Sequence, residues 1–142
     1  MKLNPFWISG FTDGEGCFSV NLVKNTTLSF NKQIQVRFSI TQHQKSIKVL
    51  YALKDYFKCG VVRPNRGKAD MILSPIYEYR VSSVDHLKSK IIPFFEQYSL
   101  KTVKQQDFIH FRRVVLGLSK KEHLHSEGFA KLNKSILKYK GK

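Results

Sequence analysis

One stretch, Trp7-Ile8-Ser9-Gly10-Phe11-Thr12-Asp13-Gly14-Glu15-Gly16, constrains this chain more than any other. It opens as a helix, because Asn4 is a good N-cap and Pro5 takes the first helical position, where its missing N–H costs nothing. Ile8 and Phe11 share one helical face, and Gly10 and Gly14 share another. A glycine inside a helix costs about 1 kcal/mol against alanine. In return, two glycines on one face leave no Cβ atoms, so a second backbone can pass unusually close. The helix is expected to end at Gly14, with Asp13 and Glu15 on either side of it. Acids are disfavoured there, since a helix C-terminus already carries partial negative charge. Carboxylates so placed want a cation, and a divalent metal is the natural candidate.

After Gly16 the apolar period changes from helical to two. Phe18, Val20 and Leu22 alternate with Ser19, Asn21 and Val23 as a half-buried strand. A loop over 25–31 leads to a second strand with Ile34, Val36, Phe38 and Ile40 on one side and Gln33, Gln35, Arg37, Ser39 and Thr41 on the other. Ser46 can cap a helix running to about Phe57, with Gly60 ending that element. Val61-Val62-Arg63 is a short strand, followed by a basic turn containing Arg66 and Lys68. Tyr77, Tyr79 and Val81 alternate with Glu78, Arg80 and Ser82 as a fourth strand. Ser83 or Asp85 opens a helix to about Tyr98, with a break expected at Pro93. A further helix runs from Thr102 to about Leu116, with Val103, Phe108, Phe111 and Val115 as apolar contacts and Gly117 and Ser119 ending it. The tail from Ser126 is an amphipathic helix with Phe129, Leu132, Ile136 and Leu137 at core spacing. This order predicts an α+β fold of one domain over residues 1–142: a single antiparallel sheet of four strands with helices on one face.

Charge narrows the partner. Twenty-five Lys and Arg against 10 Asp and Glu leave a formal net charge of +15, which calls for a polyanion, nucleic acid before membrane. Glutamine and arginine on the polar strand faces are the side chains that bond a base edge in two places, although a solvated sheet face would read the same way. The tail lysines Lys131, Lys134, Lys138, Lys140 and Lys142 face either solvent or phosphate. Cys17, Cys59 and the five histidines have no zinc-ligand spacing. No signal peptide, transit peptide or long apolar span is read from the sequence, so no membrane partner is expected.

Ile8–Gly16 resembles the nonapeptide motif of the LAGLIDADG homing endonucleases, with Gly10, Asp13 and Gly16 at matching positions and Glu15 replacing the usual second aspartate. The element order is also that of the family's αββαββα half-domain. The resemblance implies a site-specific DNA endonuclease that breaks both strands of a long, near-palindromic double-stranded target using Mg2+, or Mn2+ or Ca2+ in the same site. It gives Glu15, the eighth motif residue, the metal and the catalysis, with the Gly14 carbonyl a further ligand and Asp13 mainly structural. Gln42 matches a water-orienting glutamine, and Lys101 or Lys104 a lysine facing the scissile phosphate. The polar sheet side implied for DNA contact comprises Ser19, Asn21, Gln33, Gln35, Arg37, Ser39, Glu78, Arg80 and Ser82, with Arg63, Arg66 and Lys68 at its edge.

The segment from Lys121 to Leu124 with Glu127-Gly128 resembles one in family members that carry two motifs, whereas this chain carries one. A symmetric homodimer through Ile8, Gly10, Phe11 and Gly14 is therefore expected. An organellar, intron-encoded origin is implied, with synthesis inside the organelle. Two other readings fit the charge and fold, an RNA-binding maturase and a DNA-binding regulator that does not cut. A carboxylate beside phosphate favours the nuclease.

Overall fold

Asn4 begins the first helix: its Oδ1 accepts the Phe6 amide N–H at 2.8 Å, and Pro5 follows at the first helical position. In this computed structural model, residues 1–65 and 75–140 are described. Helix α1 spans Pro5–Glu15, one residue beyond the expected end at Gly14, and strand β1, Gly16–Lys24, starts with no connecting residue. Gly16 makes that abrupt exit feasible. Its N–H donates to the Thr12 carbonyl. A Cβ there would lie 2.6 Å from Thr12 Cγ2 and 2.9 Å from the Thr12 carbonyl oxygen, so no larger residue fits without movement.

Strand β2, Lys32–His43, returns antiparallel to β1 with Gly16 opposite Ile40 and Lys24 opposite Lys32. Helix α2, Ile47–Phe57, follows a 3-10 turn at Gln44–Ser46. The cap is displaced from the expected Ser46, which makes no side-chain capping bond; His43 Nδ1 accepts the Lys45 N–H instead. Strands β3, Val61–Pro64, and β4, Ile76–Val81, complete an antiparallel sheet of order β1-β2-β4-β3. The helices cover one side, where Val36, Phe38, Ile40, Tyr79 and Val81 are all buried. This is the α+β arrangement that the alternation predicts.

Three local expectations need correction. Pro93 does not break its helix. Val84–His86 (α3) passes through a π turn at Leu87–Ile91 into Ile92–Gln97 (α4), and the Ile92 N–H reaches back to the Leu87 carbonyl. A widened turn accommodates a proline that has no N–H to give the carbonyl four residues earlier. Gly117 does not end its helix either, since α5 runs Lys104–Ser119 through it. A Cβ on Gly117 would lie 2.9 Å from Leu132 Cδ2, so this glycine admits the last helix, α6, Ser126–Lys140. Finally, Val103 and Leu137 are exposed rather than apolar contacts, Val103 standing just before the first residue of α5.

The core is aromatic where the layers meet. The Phe18 ring lies 5.2 Å from Phe38, 5.4 Å from Phe95 and Phe108, and 5.2 Å from Phe111. One β1 side chain thereby ties the sheet to α4 and α5, and burial of each such ring contributes roughly 1.5–3 kcal/mol. At the sheet edge, Lys58 ends α2 in the left-handed conformation, and Gly60, at φ +87°, turns the chain into β3. A Cβ on Gly60 would stand 2.7 Å from both the Arg80 carbonyl oxygen and the Tyr79 ring. Gly60→Ala therefore meets strain and backbone together and should cost at least about 2 kcal/mol, measured by urea unfolding.

Candidate functional site

Asp13 and Glu15 are two residues apart and have opposite fates. Asp13 Oδ2 accepts the Lys101 N–H at 2.8 Å, and Oδ1 accepts the Thr102 N–H at 3.1 Å and its hydroxyl at 2.7 Å. Asp13 thus pins the turn before α5 to the end of α1. Burial tends to raise its pKa, but these three donors and the Lys104 charge outweigh it, and the carboxyl lies below its ordinary value of 3.8. Glu15 is exposed and has no hydrogen-bond or ion-pair partner among the described residues.

Lys104 and Lys101 also divide. The Lys104 ammonium donates to the carbonyls of Thr12, at 3.2 Å, and Gly16, so its charge sits on the negative end of the α1 dipole. Lys101 gives only its backbone N–H to Asp13; its side chain is exposed and has no partner among the described residues. Gln42 lies near the end of β2, two residues past the Ile40 that pairs with Gly16, which places it alongside the α1–β1 junction. It has the parity of the helix-covered side and is half-buried.

The donor set fits a hard divalent cation. Glu15 supplies an unpaired carboxylate, and Gly14, exposed beside it, has a carbonyl with no amide four residues on within the helix. Such oxygens suit Mg2+ or Ca2+, and Mg2+ retains several waters when few protein ligands are offered. Among the described residues no three His, Cys, Asp or Glu side chains gather to hold an ion. Among the described residues, Glu15 is thus the carboxylate offered at this helix end, with the Gly14 carbonyl beside it.

The outer face of α1 is open. Among the described residues nothing lies within 4 Å of a Cβ built on Gly10 or Gly14, and both are exposed. Trp7 and Phe11 stack beside them, with ring centroids 4.7 Å apart and planes at 14°. Ile8 was expected at the dimer interface and is instead fully buried in the chain's own core, so it offers no surface. Ser9 beside it is also turned inward, and its hydroxyl donates to the carbonyls of Tyr98 at 2.8 Å and Ser99 at 3.2 Å.

The uncovered side of the sheet carries the expected polar residues in register. Ser19 faces Arg37 and Asn21 faces Gln35 across β1 and β2; Ser39 faces Arg80 and Thr41 faces Glu78 across β2 and β4; Arg63 faces Glu78 across β3 and β4. Asn21, Gln33, Gln35, Arg37, Arg80 and Ser82 share a shallow groove of about 410 Å3. Two members depart from the expected exposure. Ser39 and Glu78 are buried among their neighbours, and Glu78 Oε1 is 2.7 Å from Arg80 Nε. Arg66 and Lys68 lie outside the described residues. Lys140, which sequence leaves undecided between solvent and phosphate, reaches Asn21 Oδ1 at 3.2 Å from the end of α6. No local pattern could have signalled a contact between residues so far apart in sequence.

The sequence profile of the LAGLIDADG endonucleases matches residues 8–115. The chain is 32% identical over 131 residues to a probable intron-encoded endonuclease of Neurospora crassa, covering 92% of this chain and 28% of that protein. It spans about a quarter of the length of the first curated relatives it matches, 28%, 23% and 26%. Its fold superposes on the crystal structure of a homing endonuclease, I-TnaI, with a TM-score of 0.85 at 42% identity, over 97% of this chain and 88% of that one. I-SmaMI, bound to an uncleaved DNA target in the presence of calcium ions, matches with a TM-score of 0.83 at 30% identity, over 93% of this chain but 43% of its own.

The Asp13 contacts carry a pH signature. A depressed folded pKa stabilises the fold fully above 3.8, and that contribution is lost as pH falls below 3.8 through the folded value. Asp13→Asn should lower stability at pH 7 by about 1 kcal/mol, allowing for solvent screening of a partly exposed group. The gap from wild type should narrow in denaturant titrations below the ordinary carboxyl value.

Proposed function

The chain belongs to the LAGLIDADG endonuclease family, and from that premise we propose that it is a sequence-specific DNA endonuclease working as a symmetric homodimer. Its target would be a long, near-palindromic duplex, cut in both strands by hydrolysis dependent on Mg2+ or a similar divalent ion. The observation that carries this reading is Glu15: an exposed carboxylate, unpartnered among the described residues, at a helix end where the neighbouring acid and Lys104 are both engaged internally. A pure binder of nucleic acid, including an RNA-binding maturase, has no use for a free carboxylate facing phosphate.

In this reading Glu15, with the Gly14 carbonyl beside it, holds the ion. When bound, the ion supplies a nucleophilic water and offsets charge at the phosphorus. Lys101, whose ammonium has no partner among the described residues, faces the scissile phosphate, while Lys104 positions the helix end. Gln42 orients water from the end of β2. The polar sheet side lies in the major groove, a net charge of +15 supports the phosphate contacts, and an α+β layer of this kind leaves a strand ribbon free to read bases. The calcium-containing DNA complex of I-SmaMI supports a divalent ion, without fixing which one serves here. The organellar origin implied by the family belongs to the same proposal, and intron-encoded relatives support it.

Two observations support dimerisation: the motif at Ile8–Gly16 brings one carboxylate, and the Gly10–Gly14 face has nothing against it among the described residues. An isologous contact there sets the two Glu15 residues about a two-fold axis, which gives the target its near-palindromic form.

Two substitutions test this. Glu15→Gln should abolish Mg2+-dependent cleavage while duplex affinity stays within about threefold, because phosphate contacts supply most of the binding; cutting at near wild-type rate would reassign the site. Gly10→Leu should raise the stability of the isolated chain by roughly 0.5–1 kcal/mol through helix propensity, since the site is open space within one chain. The same change should convert the sedimenting species to monomer and remove double-strand cleavage. A Gly10→Leu protein that still self-associates would refute this interface.

A further inference from the structure

Resting on that reading of the polar sheet side, we propose that Arg80 reads a guanine in each half of the target and that Glu78 is the residue that positions it. Arg80 and Glu78 lie two apart on β4 and so point to the same side of the sheet. Arg80 Nε donates to Glu78 Oε1 at 2.7 Å. A guanidinium has five N–H donors in one plane. With the Nε–H taken by the carboxylate, the two terminal nitrogens remain, and they present a fork that matches the O6 and N7 acceptors of guanine in the major groove.

The backbone beneath the pair is held from both sides. Ser39 on β2 and Val61 on β3 are registered opposite Arg80, and neither carries a charge that would compete for the guanidinium. Tyr79, fully buried, anchors the strand through its hydroxyl to the Cys59 carbonyl at 2.9 Å. Gly60 lets the chain entering β3 pass close to the Arg80 carbonyl oxygen. A reading group held on a rigid strand loses little conformational freedom when it meets a base.

The two members of the pair have different access. The Glu78 side chain is 9% exposed and that of Arg80 28%. Glu78 has one oxygen occupied and little surface, so it is a positioning residue and not a base contact. This changes its expected role, since its place in the alternation alone puts it against a base edge. The carboxylate also offsets the Arg80 charge, which weakens any attraction to phosphate and leaves hydrogen-bond geometry to decide what Arg80 binds. Arg37, in the same groove, has no partner among the described residues and lacks that constraint. Against an adenine–thymine pair, the Arg80 fork would leave a donor facing no acceptor, which supplies discrimination against that pair.

The test is selection of bound duplexes from a randomised library without added metal, using the full chain as wild type, Arg80→Lys and Glu78→Gln. Wild type should select a guanine in each half-site whose replacement costs about tenfold or more in affinity. Arg80→Lys keeps the charge but loses the planar fork, and it should relax that one position to about twofold or less while preserving the rest of the profile. Glu78→Gln should weaken preference at the same position and nowhere else, with overall affinity for phosphate unchanged or tighter. A lysine variant that keeps every preference overturns the guanine reading, and a glutamine variant that leaves the relaxed position at wild-type strength overturns the positioning role. Uniform loss across all positions from both variants makes the pair merely structural and overturns the inference. A wild-type protein that selects no duplex at all overturns the proposed function as well, which separates the two failures.

Discussion

Helix α1 passes into strand β1 between Glu15 and Gly16 without a connecting residue, and the position of everything else in the candidate site depends on that junction. The turn is so tight that a Cβ on Gly16 would overlap Thr12. A helix ending this abruptly leaves carbonyl groups with no amide partners and partial negative charge at its tip. The Lys104 ammonium binds two carbonyls flanking that tip, and Asp13 ties the approach to α5 against it. With these groups engaged, the backbone at Glu15 is fixed by its neighbours' bonds, while its carboxylate has no partner among the described residues. A carboxylate held that way is poised for a cation from solvent.

The same division runs through the sheet. On the covered side, apolar residues of β1, β2 and β4 pack on the aromatic cluster around Phe18, Phe95, Phe108 and Phe111, which makes the sheet a stiff platform. On the uncovered side, some polar groups are bonded within the chain, as Glu78 with Arg80 and Asn21 with Ser19 and Lys140, and others such as Arg37 have no partner among the described residues. Groups bonded internally are pre-oriented and lose little entropy on binding, whereas free ones adapt. A surface that mixes both is suited to a partner with a regular backbone and variable edges, which describes duplex nucleic acid.

Much of this was legible in the sequence because the signals were local. Asn4-Pro5 marks the start of α1, and period-two alternation gives the strands and their faces down to the inward turn of Phe38, Ile40 and Tyr79. What was not legible depends on contacts between distant residues. Ile8 belongs to the core of packed residues drawn from distant elements, and the neighbouring Ser9 is bound to carbonyls at Tyr98 and Ser99. Gly117 lies within a helix because Leu132 packs on it, although a glycine late in an amphipathic run reads as a stop. The distinction between Lys101 and Lys104 is of the same kind, for only the fold says which ammonium meets the end of α1. The π turn before Pro93 escaped because a proline signals disruption without saying how the chain absorbs it.

In the proposed homodimer the candidate site of one chain is half of the whole. Among the described residues it has one free carboxylate, no metal-binding cluster and an open glycine face beside it. The relatives show the fold in both lengths: I-TnaI is nearly matched end to end, while this chain covers 43% of I-SmaMI. Two like carboxylates near a shared axis repel each other unless cations lie between them, so assembly, metal and substrate are coupled in this account. The most direct measurement is double-strand cleavage by wild type mixed with increasing amounts of Glu15→Gln protein at fixed total concentration, after the subunits have exchanged. If each break requires two intact copies, cleavage falls as the square of the wild-type fraction. Cleavage that falls in simple proportion to that fraction would mean that one chain cuts both strands alone, and would contradict the account.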